Sequence, residues 1–156
     1  MKKTNAMRLL DKERVDYQMI SYETNDGKVD GVSVAGKIGK DVETVYKTLV
    51  AQGAKNAYYV FLIPVAEELD LKKAAKACQE KKVEMLAVKD LLSVTGYVRG
   101  GCSPIAMKKH FPTFIDSSAR RQPSLIVSAG KIGLQLELQT GDLQQLTGAA
   151  FMELTK

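Results

Sequence analysis

Residues 57–63 read AYYVFLI, a run that contains no charged side chain and has the length of one β-strand. A strand with one wet face alternates polar and apolar residues, whereas a strand buried on both faces is apolar throughout. The run therefore predicts a central strand in a sheet that is covered on both sides. Pro64 follows directly and marks the end of this strand.

The segment that precedes this strand, residues 41–53, is predicted to form a helix. Asp41 is a common helix-capping residue, and Gly53 stands where the helix would stop. Between them, apolar residues recur at the spacing of one helical face. These residues are Val42, Val45, Tyr46, Leu49 and Val50. Lys47 falls at the edge of that face, where its amine can lean over the sheet, although an exposed helical lysine is the simpler interpretation.

Helices and strands alternate along the rest of the chain. Helices are predicted at 4–13, 70–78, 88–94 and 141–146, and strands at 15–22, 83–86, 113–115, 125–128, 134–138 and 151–154. The polar stretch 24–31 predicts an exposed loop, and residues 129–133 predict a tight hairpin turn. This order favours an α/β (α+β) fold with a mixed β-sheet surrounded by helices.

The composition fits one domain that spans residues 1–156, since 45% of the side chains are hydrophobic and can form a sizeable core. One histidine, His110, and two cysteines, Cys78 and Cys102, exclude a histidine-rich metal site and a disulfide framework. No stretch resembles a signal peptide or a membrane span, so we expect a cytosolic protein. The net charge of +5 permits a phosphate-bearing partner without requiring one.

The glycine-rich segment GYVRGGCSP at 96–104 is the second candidate for a functional site. Adjacent glycines allow a ligand to approach the main chain, whose N–H groups can hold an oxygen atom. A tight connection between two elements is the structural alternative. Cys102 in this segment could serve as a nucleophile only with a nearby base or cation, and no histidine is shown to be close. Asp116 has two interpretations, a contact to a substrate amine or a turn cap, and the cap is favoured.

Seven segments stand in a fixed order along the chain. They are VYKTLV at 45–50, LDLKKAAKA at 69–77, KKVEM at 81–85, TGYVRGGCSPIAMKK at 95–109, FPTFID at 111–116, VSAGKIGL at 127–134 and GDL at 141–143. In this order they resemble the YbaK/EbsC family of aminoacyl-tRNA deacylases. The sequence is also similar to the editing insert of bacterial prolyl-tRNA synthetases, which shares the lysine and a GxxxP loop.

The resemblance implies the fold of that family and a set of site residues. Lys47 matches the lysine that is most closely tied to activity. Substrate-binding positions are implied at Tyr22, Gly100, Gly101, Ser103, Pro104 and Asp142. The implied substrate is a mischarged aminoacyl-tRNA, Cys-tRNA(Pro) and also Cys-tRNA(Cys), cleared without a metal or a cofactor. Prolyl-tRNA synthetase is a candidate partner, and a monomer is the default expectation for a domain of this size.

The resemblance also implies a mechanism, in which the thiol of the substrate's own cysteine attacks its carbonyl and releases tRNA as a thiolactone forms. Lys47 then positions the ester, and the main chain of the glycine-rich loop cradles the aminoacyl group. The alternatives are deacylation of another amino acid such as alanine or serine, a non-catalytic tRNA-binding or regulatory protein, and an interaction module for a synthetase.

Overall fold

In the computed structural model, which describes residues 2–156, the chain forms five α-helices and eight strands. The helices are α1 (Asn5–Lys12), α2 (Gly31–Ile38), α3 (Leu71–Ala77), α4 (Val88–Thr95) and α5 (Thr140–Thr147). The strands are β1 (Tyr17–Ser21), β2 (Tyr46–Gln52), β3 (Tyr58–Pro64), β4 (Glu84–Met85), β5 (Thr113–Asp116), β6 (Ser124–Ser128), β7 (Leu134–Gln139) and β8 (Ala150–Met152).

The strands form two sheets. Five strands pair in the order β4-β2-β3-β5-β8, with β2 antiparallel to β3 and β4, and with β5 parallel to β3 and β8. Three strands pair antiparallel in the order β1-β7-β6. The predicted mixed α/β class is confirmed. The hairpin predicted around residues 129–133 forms between β6 and β7, and it lies in the second sheet.

Strand β3 is the centre of the five-stranded sheet, as the AYYVFLI run predicts. Val60 and Leu62 contribute to the main core, which also contains apolar residues of the second sheet and of α1. Phe61 and Ile63 point to the opposite face and pack with Ala74 of α3. All four of these β3 side chains are at most 1% exposed, so the strand is buried on both faces.

The predicted helix at 41–53 is wrong. Only a short 3-10 turn forms at Val42–Thr44, and the chain then enters β2, where Lys47 pairs with Ile63 of β3. A strand that is partly buried on both faces places apolar residues at nearly every position, and such a run also satisfies a helical spacing. Its β-branched and aromatic side chains favour the pleated sheet that β3 completes.

Helix α2 is the second departure from the prediction, because the expected loop at 24–31 leads directly into it. Asp30 caps the helix by accepting a hydrogen bond from the Ser33 backbone N–H at 3.1 Å. Gly39 ends it with a φ of 66°, a left-handed conformation that suits glycine. This helix lies across from β2 and forms one side of the cavity described next.

Candidate active site

A cavity of about 690 Å³ opens between β2, the first turn of α2 and the loop that follows α4. This volume is within the usual range for small-molecule sites. Polar and charged side chains reach its wall from separate parts of the sequence. They are Asp30, Lys47, Thr48, Arg99, Ser128 and Gln135. The fold therefore brings Lys47 together with Gly100 of the glycine-rich loop, the pair that the sequence singled out.

Lys47 reaches this wall from the second position of β2 and is partly buried there. None of the five ion pairs found among residues 2–156 involves Lys47. Arg99 is the second cation on the wall, and Asp30 is the only carboxylate there in the described part of the chain. Asp30 accepts from both the N–H and the hydroxyl of Ser33, and these bonds lower its pKa. Lys47 is thus a cation available to a ligand.

Thr48 offers the cavity several polar groups. Its Oγ1 is buried and has no hydrogen-bond partner among residues 2–156. Val50 O accepts from Leu86 N on the side of β2 that faces away from β3, and backbone groups two residues apart in a strand point to the same side. The backbone N–H and C=O of Thr48 therefore face that edge as well. Strand β4 pairs with β2 at residues 51–52, so its ladder does not reach Thr48.

Gln135 contributes an acceptor from the other sheet. It lies on β7, the middle strand, between Ile20 of β1 and Ser128 of β6. Its side chain is 7% exposed, and Oε1 has no partner among residues 2–156. Buried polar atoms are almost always hydrogen-bonded in native proteins. Thr48 and Gln135 both line the cavity, and each has a buried oxygen without a partner among residues 2–156, so both positions are unusual for purely structural residues.

The glycine-rich loop supports the opposite part of the wall. Gly100 lines the cavity with a φ of 86°, a conformation that other residues rarely adopt. Gly101 is required for a different reason, since a Cβ there would come within 3.0 Å of the Ile132 backbone nitrogen. The loop thus packs directly on the turn between β6 and β7.

Comparison with known proteins bears on this site. The family model of the aminoacyl-tRNA editing domain matches residues 29–146. This range contains all six polar and charged side chains on the cavity wall. The chain belongs to the aminoacyl-tRNA editing domain family.

A curated relative and two solved structures are similar to this editing domain. EbsC of Enterococcus faecalis (strain ATCC 700802 / V583), whose name gives it a provisional activity as a Cys-tRNA(Pro)/Cys-tRNA(Cys) deacylase, is 46% identical over 153 residues. The match covers 98% of this chain and 93% of EbsC. A crystal structure described as a provisional trans-editing enzyme for prolyl-tRNA synthetase has a TM-score of 0.85 and 21% identity, covering 100% of this chain and 99% of the other. The hypothetical protein APE2540 has a TM-score of 0.87 and 17% identity, covering 96% and 98%. At these identities the two structures show the fold alone.

Cys102 lies in the cavity wall of this editing domain but lacks the features of a nucleophile. It is 8% exposed, and burial raises the pKa of its thiol to about 12. A thiol with so high a pKa carries almost no thiolate near neutral pH. Cys78 packs partly buried beside α3, and burial raises its pKa as well. Neither cysteine has the lowered pKa that nucleophilic catalysis requires.

The other residues implied by the resemblance lie outside this wall. Ser103 is fully buried and accepts from the Ile105 N–H, while Pro104 lines a smaller cavity on the far side of the loop. Tyr22 follows β1, and its buried hydroxyl has no partner among residues 2–156. Asp142 is in the first turn of α5 and is not on the wall. Their roles in substrate binding stay predictions.

Sequence reasoning missed Thr48, Gln135 and the start of α2. Thr48 belongs to the YKT motif next to Lys47, but its position on a strand cannot be seen while the segment is interpreted as a helix. Gln135 is one polar residue in an alternating strand, a pattern that indicates a wet face. Asp116 is a cap, as favoured, because it accepts from the N–H groups of Ser118 and Leu154.

Two kinds of feature do not occur in the described residues. Within residues 2–156, no three His, Cys, Asp or Glu side chains are grouped so that they could hold a metal ion. No helix in the same range combines the length and the apolar character needed to cross a membrane.

Proposed function

We propose that this editing domain, acting as one unit over residues 1–156, is an enzyme that removes cysteine from mischarged Cys-tRNA(Pro), and from Cys-tRNA(Cys). Family membership supports aminoacyl-tRNA as the substrate class. The 46% identity to EbsC, which spans nearly both chains, supports cysteine as the amino acid. The observation that carries the proposal is that Lys47, which takes part in no ion pair among residues 2–156, lines one cavity with Arg99 and Gly100 of the glycine-rich loop.

The arrangement matches the chemistry of an aminoacyl ester. The substrate presents anionic phosphate and an oxygen-rich ribose at one end and an α-ammonium group at the other. Lys47 supplies a cation for the phosphate or ribose end. The Asp30 carboxylate on the same wall carries the charge opposite to that of the ammonium group. Such contacts hold the ester in one orientation, which is the main requirement for cleaving an already activated bond.

Cleavage then uses the substrate's own thiol. Its sulfur attacks the ester carbonyl, so a C–S bond forms and the C–O bond to the terminal ribose breaks. The thiol proton passes to the ribose oxygen, which leaves as the free hydroxyl of tRNA, and cysteine leaves as a thiolactone. In this proposal the main chain at Gly100, which lines the cavity, stabilises the oxyanion of the intermediate. The high pKa of Cys102 agrees with a route that uses no protein thiol.

The proposal also covers how the protein contacts and selects its tRNA in the cell. The net charge of +5 favours sequence-independent contact with tRNA phosphates. Selection of tRNA(Pro) then comes from association with prolyl-tRNA synthetase in the cytoplasm, with the editing domain itself a monomer.

Deacylation of Cys-, Ala-, Ser- and Pro-tRNA(Pro) by the wild-type protein and by Lys47→Ala tests the proposal. We expect wild type to release cysteine far faster than the other three amino acids, because only cysteine carries the attacking thiol. Lys47→Ala should lower kcat/KM for Cys-tRNA(Pro) about a hundredfold, equivalent to ~2.7 kcal/mol. Lys72→Ala, which removes an exposed lysine from α3, is the matched control and should change kcat/KM less than twofold.

Three results would count against this function. Equal release of alanine and cysteine would exclude substrate-thiol attack. A hundredfold loss in Cys102→Ser would restore a protein nucleophile. Stoichiometric tRNA binding without release of any amino acid would indicate a binding protein rather than an enzyme.

A further inference from the structure

A second groove lies at the opposite end of the β2–β3 hairpin from the active site. Two adjacent cavities, of about 450 Å³ and 190 Å³, share Lys109 and Phe111 as wall residues, and we call them together the Phe111 groove. The larger cavity is also lined by Tyr58, whose register partner is Gln52 at the far end of β2 from Lys47. The groove is therefore separate from the cavity that holds Lys47.

Aromatic rings form part of the wall. Tyr58 and Phe111 meet edge to face, with ring centroids 5.7 Å apart and an interplanar angle of 79°. Both side chains are only partly buried, so each ring keeps some surface toward the groove. Exposed aromatic surface of this kind is what nucleobases stack on in proteins that bind single strands.

The groove has a positively charged side chain, Lys109, on its wall. Within residues 2–156 no carboxylate is on either wall. The acid nearest to Tyr59, Glu80, accepts hydrogen bonds from the Tyr59 hydroxyl and the Ala54 N–H instead. Asn56 adds an uncharged amide donor to the wall, whereas the Ser93 hydroxyl donates to the Asp90 carbonyl. Cations beside aromatic surface are complementary to a nucleotide, which combines an anionic phosphate with a flat base.

One segment of chain connects this groove to the active site. Ser93 and Val94 of α4 line the groove. The residues Arg99, Gly100 and Cys102, which follow α4, line the active-site cavity. Further along the chain, Lys109 again lines the groove. The segment 93–109 thus begins and ends at the Phe111 groove and passes the active-site cavity in between. An RNA whose aminoacylated end lies beside Lys47 therefore has the groove as a second surface that it can contact.

We propose that the Phe111 groove binds a nucleotide of single-stranded RNA, with the base against the Tyr58 and Phe111 rings and the phosphate near Lys109. On tRNA, this nucleotide is one other than the terminal, aminoacylated adenosine. Its assignment to tRNA rests on the proposed function, whereas binding of single-stranded RNA does not.

Fluorescence anisotropy with a short labelled single-stranded RNA that ends in CCA measures this binding without an ester. Lys109→Glu should weaken binding about tenfold and reduce its salt dependence, because one phosphate contact is lost. Lys72→Glu makes the same charge change on α3 and should weaken binding less than twofold. Phe111→Leu keeps an apolar side chain but removes the ring, and should weaken binding about tenfold while leaving the salt dependence unchanged.

The controls distinguish loss of RNA binding at the groove from loss of folding and from loss of deacylase activity. Each variant must unfold at a temperature within a few degrees of wild type, and Tyr58→Leu provides a second ring variant if Phe111→Leu does not fold. Deacylation by the wild-type protein is measured separately, so a wild type that releases no cysteine but binds this RNA through the groove leaves the groove proposal standing. Equal weakening by Lys109→Glu and Lys72→Glu, or unchanged binding by both ring variants, would overturn it. Tighter binding of an equally labelled glutamate-rich peptide would assign the groove to an acidic protein instead.

Discussion

Thr48 and Gln135 each hold a buried oxygen that has no hydrogen-bond partner among residues 2–156. Leaving a buried donor or acceptor unpaired costs about 1–3 kcal/mol. Both residues line the cavity that Lys47 also lines, so the cost falls on residues at the proposed site. Residues that reduce stability in the free protein and gain partners from a ligand are typical of functional sites.

Thr48→Val tests this interpretation with a nearly isosteric change. Removing the unpartnered hydroxyl should leave the free energy of unfolding unchanged or raise it by about 1 kcal/mol, measured by urea denaturation. The same variant should lower kcat/KM for Cys-tRNA(Pro) about tenfold, because a substrate contact is lost. A loss of stability with unchanged kcat/KM would show that the hydroxyl serves the fold and not the substrate.

At the scale of secondary structure, β3 and β2 show where sequence patterns succeed and where they fail. The AYYVFLI run could be interpreted directly, because a short run without polar residues fits one structure in this context. The run before it, residues 41–53, fits both the spacing of a helix and that of a buried strand. Pairing with β3 decides that the strand forms. That pairing depends on residues 58–64, so it cannot be derived from residues 41–53 alone. Helix α2 was missed because its first turn follows a polar, glycine-containing stretch.

Asp116 joins β5 to the C-terminal segment. Its carboxylate is 5% exposed and accepts from the N–H groups of Ser118 and Leu154, at 3.2 and 3.0 Å. Asp116→Ala should lower the free energy of unfolding by about 3 kcal/mol, since two charge-assisted hydrogen bonds are lost and two N–H groups lose their acceptor. Urea denaturation measures the change.

Asp41→Ala is the control for this element. Asp41 is exposed, and its side chain makes no capping hydrogen bond, so its removal should change stability by less than about 0.5 kcal/mol. If the two variants are equally stable, the carboxylate of Asp116 does not hold the segment in place.

Across the whole molecule, the candidate site divides into a part that the sequence reveals and a part that only the fold assembles. Lys47 and Gly100 could be named from motifs, because each lies in a segment with a recognisable order of residues. Gln135 could not, since it lines the cavity only because the second sheet packs against β2 through β6. A site whose residues come from two sheets leaves no local pattern in the sequence. In this protein the feature that points to Gln135 is its buried Oε1, which has no partner among residues 2–156.

Stability of the whole molecule at high pH provides a further prediction. Burial raises the pKa of Cys102 from an ordinary value of 9.0 to about 12, and that of Tyr97 from 10.0 to about 12. Between pH 9 and 12 the unfolded chain therefore loses protons that the folded chain keeps. Since the unfolded state then binds fewer protons, the free energy of unfolding falls as pH rises through this window.

Urea denaturation at a series of pH values measures this fall. Cys102→Ala removes one of the two groups and should make the decline above pH 9 shallower than in wild type. Cys78→Ala removes a thiol that is less buried and should change the slope less. Identical slopes for all three proteins would show that the Cys102 thiol ionises equally in the folded and unfolded chains.

The parallel pairing of β5 with β8 also determines when the protein can finish folding during synthesis. The β2–β3 hairpin is local and can form early, but the β5 edge stays unpaired until residues 150–152 have left the ribosome. The Leu154 N–H reaches Asp116, and its carbonyl accepts from Asp70 N, only after that point. A nascent chain that stalls before residue 150 would therefore expose the unpaired edge of β5, although most of the cavity wall could already form. Exposed strand edges and incompletely folded chains are bound by chaperones and degraded by proteases.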